Sequence, residues 1–176
     1  MMTFFYIVLG IVILVLVLTL IAPKQYEVNR SIIINKSVSE VFNYLKYIKN
    51  QDDWSPWKKK DPNMKQTFSG IDGEVGFVSK WEGDKAVGTG EQEIKRIVEN
   101  ESIETELRFI KPWKSQSDAY LRVVGLESHQ TNVTWGFKGK NVFPFSIFML
   151  FMNMDKAVGK DFEEGLSNLK EQLENK

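Results

Sequence analysis

Residues 144–174 read PFSIFMLFMNMDKAVGKDFEEGLSNLKEQLE and lie near the C-terminal end of the sequence. Their large apolar side chains recur every three or four positions, which places them along one side of a helix. These side chains are Phe148, Phe151, Met154, Val158, Phe162, Leu166, Leu169 and Leu173. The spacing predicts one long helix from residue 144 to residue 174, whose apolar stripe must pack against another surface.

The preceding part of the chain predicts that surface, an antiparallel sheet. Short segments that alternate apolar and polar side chains are separated by turn sequences such as Asp72-Gly73 and Gly83-Asp84. Strands with one apolar and one polar face form antiparallel sheets with one side in water. The segments are 26–35, 66–69, 75–81, 87–98, 103–109, 119–126 and 132–138, which predicts about seven strands.

A helix is predicted between the first strand and the other six. Ser37-Val38-Ser39-Glu40 matches a capping box, the signature of a helix start. The element order is therefore strand, helix, six-stranded meander and long helix, which indicates an α+β fold.

Residues 52–60, DDWSPWKKK, place Trp54 and Trp57 in a polar connection between that helix and the meander. The three-residue spacing lets both rings share one side if the segment forms a helical turn. Two interpretations remain open. The rings cap the open end of the core, or they form the rim of a ligand cavity with the lysines in water.

Residues 1–23 predict a membrane anchor. They contain no charged side chain, and residues 4–22 read FFYIVLGIVILVLVLTLIA. At about 1.5 Å per residue, this helix spans roughly the 30 Å of a bilayer core. The uncharged start and the sequence TLIAP at its end favour a retained anchor over a cleaved signal peptide. Residues 24–176 form the second predicted domain.

The flanking charges predict the orientation of this single-pass membrane protein. Lys24, Arg30 and Lys36 follow the apolar stretch, and neither lysine nor arginine precedes it. The positive-inside rule then places the C-terminal domain in the cytoplasm.

The composition excludes several functional classes. The chain has 23 Lys and Arg against 23 Asp and Glu, so no net field favours nucleic acid. It has no cysteine and one histidine, His129, which excludes disulfides, thiol catalysis and metal sites that need two imidazoles. The sequence predicts no metal site, no cofactor and no catalytic residue.

Several runs of residues resemble a known family. They are WSPWKKKDP at residues 54–62, SGIDGEVG at 69–76, WEG at 81–83, and NVFPF with MDKAVGKDFEEGLSNLK within 141–170. Together with the element order, they resemble the SRPBCC superfamily of START-like, Bet v 1-like helix-grip proteins, and specifically its polyketide cyclase/dehydrase-like branch. The resemblance covers about residues 26–173.

This resemblance implies a curved antiparallel sheet wrapped around the long C-terminal helix, with an apolar cavity between them. The expected concave face is either a filled core or a pocket on the order of several hundred Å3. The candidate ligand-binding residues are Trp54, Trp57, Phe77, Trp81, Leu107, Phe109, Trp135, Phe137, Phe148, Met152 and Arg30.

Arg30 is the charged member of this set. It shares the strand parity of Val28 and Ile32, which predicts that it points inward. An inward guanidinium can bind a carboxylated ligand or an internal Asp or Glu. Alternatively, the side chain extends along the strand and its head reaches water.

The resulting hypothesis is a membrane-anchored SRPBCC domain that binds a hydrophobic small molecule or lipid. A cyclase or dehydratase is the first alternative, although no His or Cys lies on the predicted concave face, and Tyr120 and Glu93 receive no catalytic assignment. A protein-interaction module, like the chaperone activators of this fold, is the second. It predicts a filled core and an exposed apolar patch on the outer sheet face.

Overall fold

A computed structural model describes residues 1–127 and 129–175 of the chain. Within these residues the chain forms six α-helices and seven strands. The helices are α1 (Met2–Ile21), α2 (Val38–Leu45), α3 (Gln51–Trp54), α4 (Pro56–Lys60), α5 (Phe145–Phe148) and α6 (Met154–Glu174). The strands are β1 (Gln25–Ile34), β2 (Lys65–Ser69), β3 (Val78–Glu82), β4 (Thr89–Val98), β5 (Ser102–Lys111), β6 (Ser115–Glu127) and β7 (Gln130–Lys140).

The strands form one antiparallel sheet in the order β1-β7-β6-β5-β4-β3-β2. Strands β2 to β7 follow one another as a meander, and β1 pairs with β7 so that Arg30 lies opposite Trp135. Register shifts interrupt the β4–β5 and β6–β7 pairings, and such irregularities bend strands. The sheet and the long C-terminal helix confirm the predicted α+β helix-grip architecture.

The predicted capping box begins α2. The Ser37 side chain accepts a hydrogen bond from the Glu40 backbone N–H at 3.4 Å, and the Glu40 carboxylate accepts one from the Ser37 N–H at 3.0 Å. The Ser37 hydroxyl also donates to the Glu40 carboxylate at 2.6 Å, and this bond together with that from the Ser37 N–H lowers the pKa of Glu40. The helix then buries Val41, Phe42 and Leu45 in the core.

Helix α6 packs against β1 and β7 through its apolar stripe. Phe162, Leu166, Leu169 and Leu173 are buried. The prediction of one unbroken helix from residue 144 is wrong, because α6 begins at Met154. The Asn153 side chain accepts a hydrogen bond from the Lys156 N–H at 3.1 Å, and this N-cap starts a new helix after the single turn of α5.

Helix α1 buries none of its residues in the domain. By length and composition it is the one helix of the described residues that could cross a membrane. Its end is attached to the domain through Asn141. The Asn141 backbone N–H donates to the Lys24 carbonyl and its side-chain amide donates to the Pro23 carbonyl, both at 2.9 Å.

Candidate ligand-binding site

An aromatic cluster fills one part of the space between the sheet and α6. The Trp135 ring of β7 stacks on the Phe162 ring of α6, with centroids 4.3 Å apart. Trp54 and Trp57 meet Trp135 edge-on at 4.8 Å and 5.3 Å. Gly165 makes this contact possible, since a Cβ there would lie 2.6 Å from the Trp135 ring. The four rings form a packed core at this position.

The local sequence explains how the two loop tryptophans reach Trp135. Helix α3 ends at Trp54, and Ser55 is extended because a residue before proline avoids the helical region. Pro56 then starts α4, where proline is favoured. The Asn168 side chain of α6 donates to the Trp54 carbonyl at 3.0 Å and fixes this corner. Trp54 is fully buried and Trp57 half-buried.

The remaining predicted sheet residues form a second region of the concave face. Trp81 meets Phe109 edge-on at 5.8 Å, and both are half-buried, as is Leu107. Phe77 and Phe137 are buried in the core. Among the described residues, the indole N–H groups of Trp54 and Trp81 are buried without a hydrogen-bond acceptor.

Arg30 faces α6, where two carboxylates accept its hydrogen bonds. Its Nε donates to Glu163 at 2.6 Å, and its Nη1 and Nη2 donate to Asp155 at 2.7 Å and 3.1 Å. Gly159 lies between these acids, and a Cβ there would be 2.2 Å from Nη2. The hydrogen bond from Arg30 lowers the pKa of Asp155. The guanidinium therefore binds acids of the chain itself, one of the alternatives left open by the sequence.

A groove opens where α1 meets the domain, which we call the α1-side groove. It has a volume of about 400 Å3, within the range of small-molecule sites. Pro23, Gln25, Tyr26, Glu27 and Asn141 form one wall, and residues 149–155 form the other. The second wall supplies Met149, Leu150, Phe151, Met152 and Met154, so the groove has an apolar side.

Tyr26 links the groove to the aromatic interior. Its ring meets Phe137 edge-on at 5.4 Å, and Phe137 lies 5.7 Å from Phe162. The Tyr26 hydroxyl and the Ser117 hydroxyl are hydrogen-bonded at 2.8 Å. An apolar molecule in the groove would thus contact the outer end of the core.

Two predicted helix residues have different positions from those expected. Phe148 and Met152 do not belong to α6, because that helix begins after them. Phe148 is 64% exposed on α5, and Met152 is 54% exposed in the α1-side groove. Tyr26, Met149 and Leu150 also line the groove, although they were not among the predicted site residues. The consecutive apolar side chains of residues 147–152 were the available signal.

A second groove has a different character. It has a volume of about 290 Å3 and is lined by Asp53, Lys59, Asn168, Glu171, Gln172 and Asn175. Its lining residues are all polar or charged, so the α1-side groove is the better candidate for an apolar ligand.

The two acid–base candidates of the sequence lie outside the grooves. Glu93 binds Arg108 at 2.8 Å, and this hydrogen bond lowers the pKa of Glu93. The Tyr120 hydroxyl donates to Glu27 at 2.7 Å, and burial raises the pKa of Tyr120 to about 12. Within residues 1–127 and 129–175, no three His, Asp or Glu side chains are grouped closely enough to hold a metal ion.

Comparisons with known proteins give matches in structure alone. No protein-family model matches the chain, and no curated protein matches its sequence. The Aha1 dimer from Colwellia psychrerythraea is 20% identical with a TM-score of 0.52, and the match covers 84% of this chain and 96% of that chain. Truncated norcoclaurine synthase from Thalictrum flavum is 9% identical with a TM-score of 0.59, covering 85% and 95%.

The di-domain ARO/CYC StfQ from the steffimycin biosynthetic pathway is similar over one half of its length. It is 7% identical with a TM-score of 0.61, and the match covers 86% of this chain and 51% of that chain. At such identities the similarity shows the fold and leaves the activity open. The helix-grip architecture predicted from the sequence is thereby confirmed, because the chain shares the fold of these structures.

Proposed function

We propose that this chain is a single-pass membrane protein whose helix-grip domain binds a hydrophobic small molecule or lipid in the α1-side groove. The observation that carries the proposal is the position of the groove, directly at the end of the apolar helix. A ligand that leaves the bilayer beside α1 meets the groove before it meets water. The flanking charges favour a cytoplasmic domain.

The driving force in this proposal is the burial of apolar surface. Met149, Leu150 and Met152 provide flexible apolar contacts, and each Å2 removed from water contributes about 25 cal/mol. Gln25 and Glu27 at the opposite wall offer polar groups that can orient a headgroup or hydroxyl. Of the predicted site residues, Met152 lines this groove, and Phe137 lies behind the groove residue Tyr26.

Ligand capture by the full chain, purified in detergent without added lipid, tests this proposal. We expect lipid extraction and mass spectrometry to recover a bound apolar molecule, and a fluorescent lipid to compete with it. Leu150→Ser removes one groove contact and should weaken fluorescent-lipid binding by about fivefold, equivalent to about 1 kcal/mol. Val124→Ser removes an exposed side chain on β6, outside the groove, and should leave binding unchanged. Absence of ligand together with absence of competition would refute the proposal.

A protein-interaction module is the second candidate, and the packed aromatic cluster favours it. The outer sheet face also exposes two apolar side chains, Ile33 and Val124, which both lie opposite Asn132 in the β-sheet. The two candidates use different surfaces. A partner on the outer face would protect a Val124→Cys label in native membranes but not in the purified chain, whereas lipid binding in the groove would leave that label reactive in both.

A further inference from the structure

Exposed aromatic and apolar side chains are concentrated beside the end of α1. They come from the β5–β6 and β7–α6 connections, and Trp113 meets Phe145 edge-on at 6.5 Å. We call this set the aromatic patch; it comprises Trp113, Val142, Phe143, Phe145, Phe148, Phe151 and Met152. Trp113 is 67% exposed and Phe151 is 82% exposed. A soluble surface rarely leaves so many large apolar side chains together in water.

Backbone connections fix the patch at one level relative to α1. Asn141, the residue before the patch, donates both of its N–H groups to the carbonyls of Pro23 and Lys24, where the apolar stretch ends. Helix α5 also contacts α1 directly. A bilayer crossed by α1 therefore ends within a few residues of Val142, Phe143 and Phe145.

The charges around the patch match an anionic lipid surface. Lys24, Lys111, Lys114 and Lys140 flank it, and all four are exposed. None of them forms an ion pair with any residue that the structure describes. Tryptophan at the headgroup level with neighbouring lysines is typical of membrane interfaces. Because α1 tethers the domain to the bilayer, the contact between patch and lipid requires no further loss of translational entropy.

We propose that the aromatic patch inserts into the interface of the same bilayer that α1 crosses. This inference rests on the membrane anchoring in the proposed function and adds a second membrane contact to it. Phe151 and Met152 belong to both the patch and the α1-side groove. Insertion therefore opens the groove onto the lipid phase, and a lipid moves between the bilayer and the groove without crossing water.

The natural absence of cysteine allows single labels to test this arrangement in the full chain. Phe148→Cys and Phe151→Cys report on the patch, Val124→Cys on the outer sheet face, and Leu14→Cys on the middle of α1. Each variant carries a small fluorophore and is placed in nanodiscs that contain phosphatidylserine. Lipids brominated near the headgroup, or deep in the acyl chain for the Leu14 label, quench from the membrane side, and iodide quenches from water.

We expect the labels at positions 148 and 151 to be quenched by brominated lipid several-fold more than the label at position 124. Iodide should show the reverse order. If the labels at positions 151 and 124 are quenched alike while the Leu14 label is quenched by lipid, the insertion of the patch is refuted and the membrane anchoring stands. A Leu14 label that iodide reaches and lipid does not quench overturns the anchoring and the proposed function with it.

Charge reversal provides a second, independent readout. Lys111→Glu combined with Lys114→Glu should reduce lipid quenching of the Phe151 label in phosphatidylserine nanodiscs and leave it nearly unchanged in neutral nanodiscs. Both lysines are exposed and unpaired within the described structure, so the variant should keep its unfolding temperature. Equal quenching before and after reversal in the anionic nanodiscs would exclude the lysine contribution to docking.

Discussion

At the scale of single residues, Gly159 makes room for Arg30, whose side chain joins β1 to α6. A Cβ at this position would lie 2.2 Å from Nη2 of Arg30, closer than any real contact. Arg30 would then have to leave Asp155 or Glu163, which are its partners on the same helix face. The lack of a side chain at residue 159 therefore determines how Arg30 is held.

We expect Gly159→Ala to give no gain in the free energy of unfolding, because the end of the Arg30 side chain must move away from Asp155 or Glu163. The sign of the change is diagnostic, because alanine normally stabilises a helix by about 1 kcal/mol relative to glycine. Denaturant unfolding of the chain in detergent measures the change. Ser167→Ala, at an exposed position of α6, is the matched control and should stay within about 0.5 kcal/mol of the parent. A Gly159→Ala protein that is more stable than the parent would contradict the observed Arg30 geometry.

The same cluster of Arg30, Asp155 and Glu163 predicts that the stability of the protein depends on pH. The hydrogen bond from Arg30 holds the pKa of Asp155 below its ordinary value of 3.8. The folded-state pKa is therefore lower than the unfolded one, so this stabilisation is complete above the ordinary value and is lost as the pH falls through the folded value. We expect stability to decline below about pH 4, and Asp155→Asn to flatten part of that decline. Denaturant midpoints measured across this range provide the test, and identical pH profiles for the two proteins would contradict it.

At the scale of elements, hydrophobic periodicity was sufficient for the strands and for most of α6. It failed at the start of α6 because residues 147–152 are apolar on every side of a helix and carry no period. The decisive signal was local: Asn153 followed by Asp155 is a favourable N-cap and first turn. The break after α5 moves Phe148 and Phe151 out of the stripe and into the aromatic patch.

The filling of the interior was not predictable in the same way. Whether a concave face is hollow depends on contacts between side chains far apart in sequence, such as Trp57, Trp135 and Phe162. Alternation identifies which side each ring occupies but not whether opposing rings touch. Similarly, the parity of Arg30 indicated its side of the sheet, whereas its two acidic partners on α6 could be identified only from the fold.

The cap of α6 should control the wall of the α1-side groove, because the residues just before it form that wall. We expect Asn153→Ala to reduce the free energy of unfolding by about 1 kcal/mol. It should also speed amide hydrogen exchange at Lys156, whose N–H loses its acceptor. Asn153→Asp keeps a capping oxygen and should restore both properties. An equal loss of stability in both variants would show that the capping hydrogen bond does not cause the loss.

At the scale of the whole molecule, helix α1 and the domain share little buried surface. Helix α1 buries none of its residues; the domain contacts it through α5 and holds the segment that follows it through Ala22, Pro23 and Lys24. The helix-grip structures of Aha1 and norcoclaurine synthase match 84% and 85% of this chain, close to the share that lies outside α1. The buried core that specifies the fold lies outside α1.

Removing residues 1–21 should consequently leave a folded domain that retains Ala22 and Pro23. We expect cooperative thermal unfolding in aqueous buffer, with a midpoint within a few degrees of that of the full chain in detergent, measured by circular dichroism. The bare aromatic patch should make this domain self-associate, and Phe148→Ser with Phe151→Ser should reduce its sedimentation coefficient towards that of a monomer. Phe162→Ser, which removes the ring stacked on Trp135, is the control that should abolish cooperative unfolding. A truncated domain without a cooperative transition would mean that α1 is part of the fold.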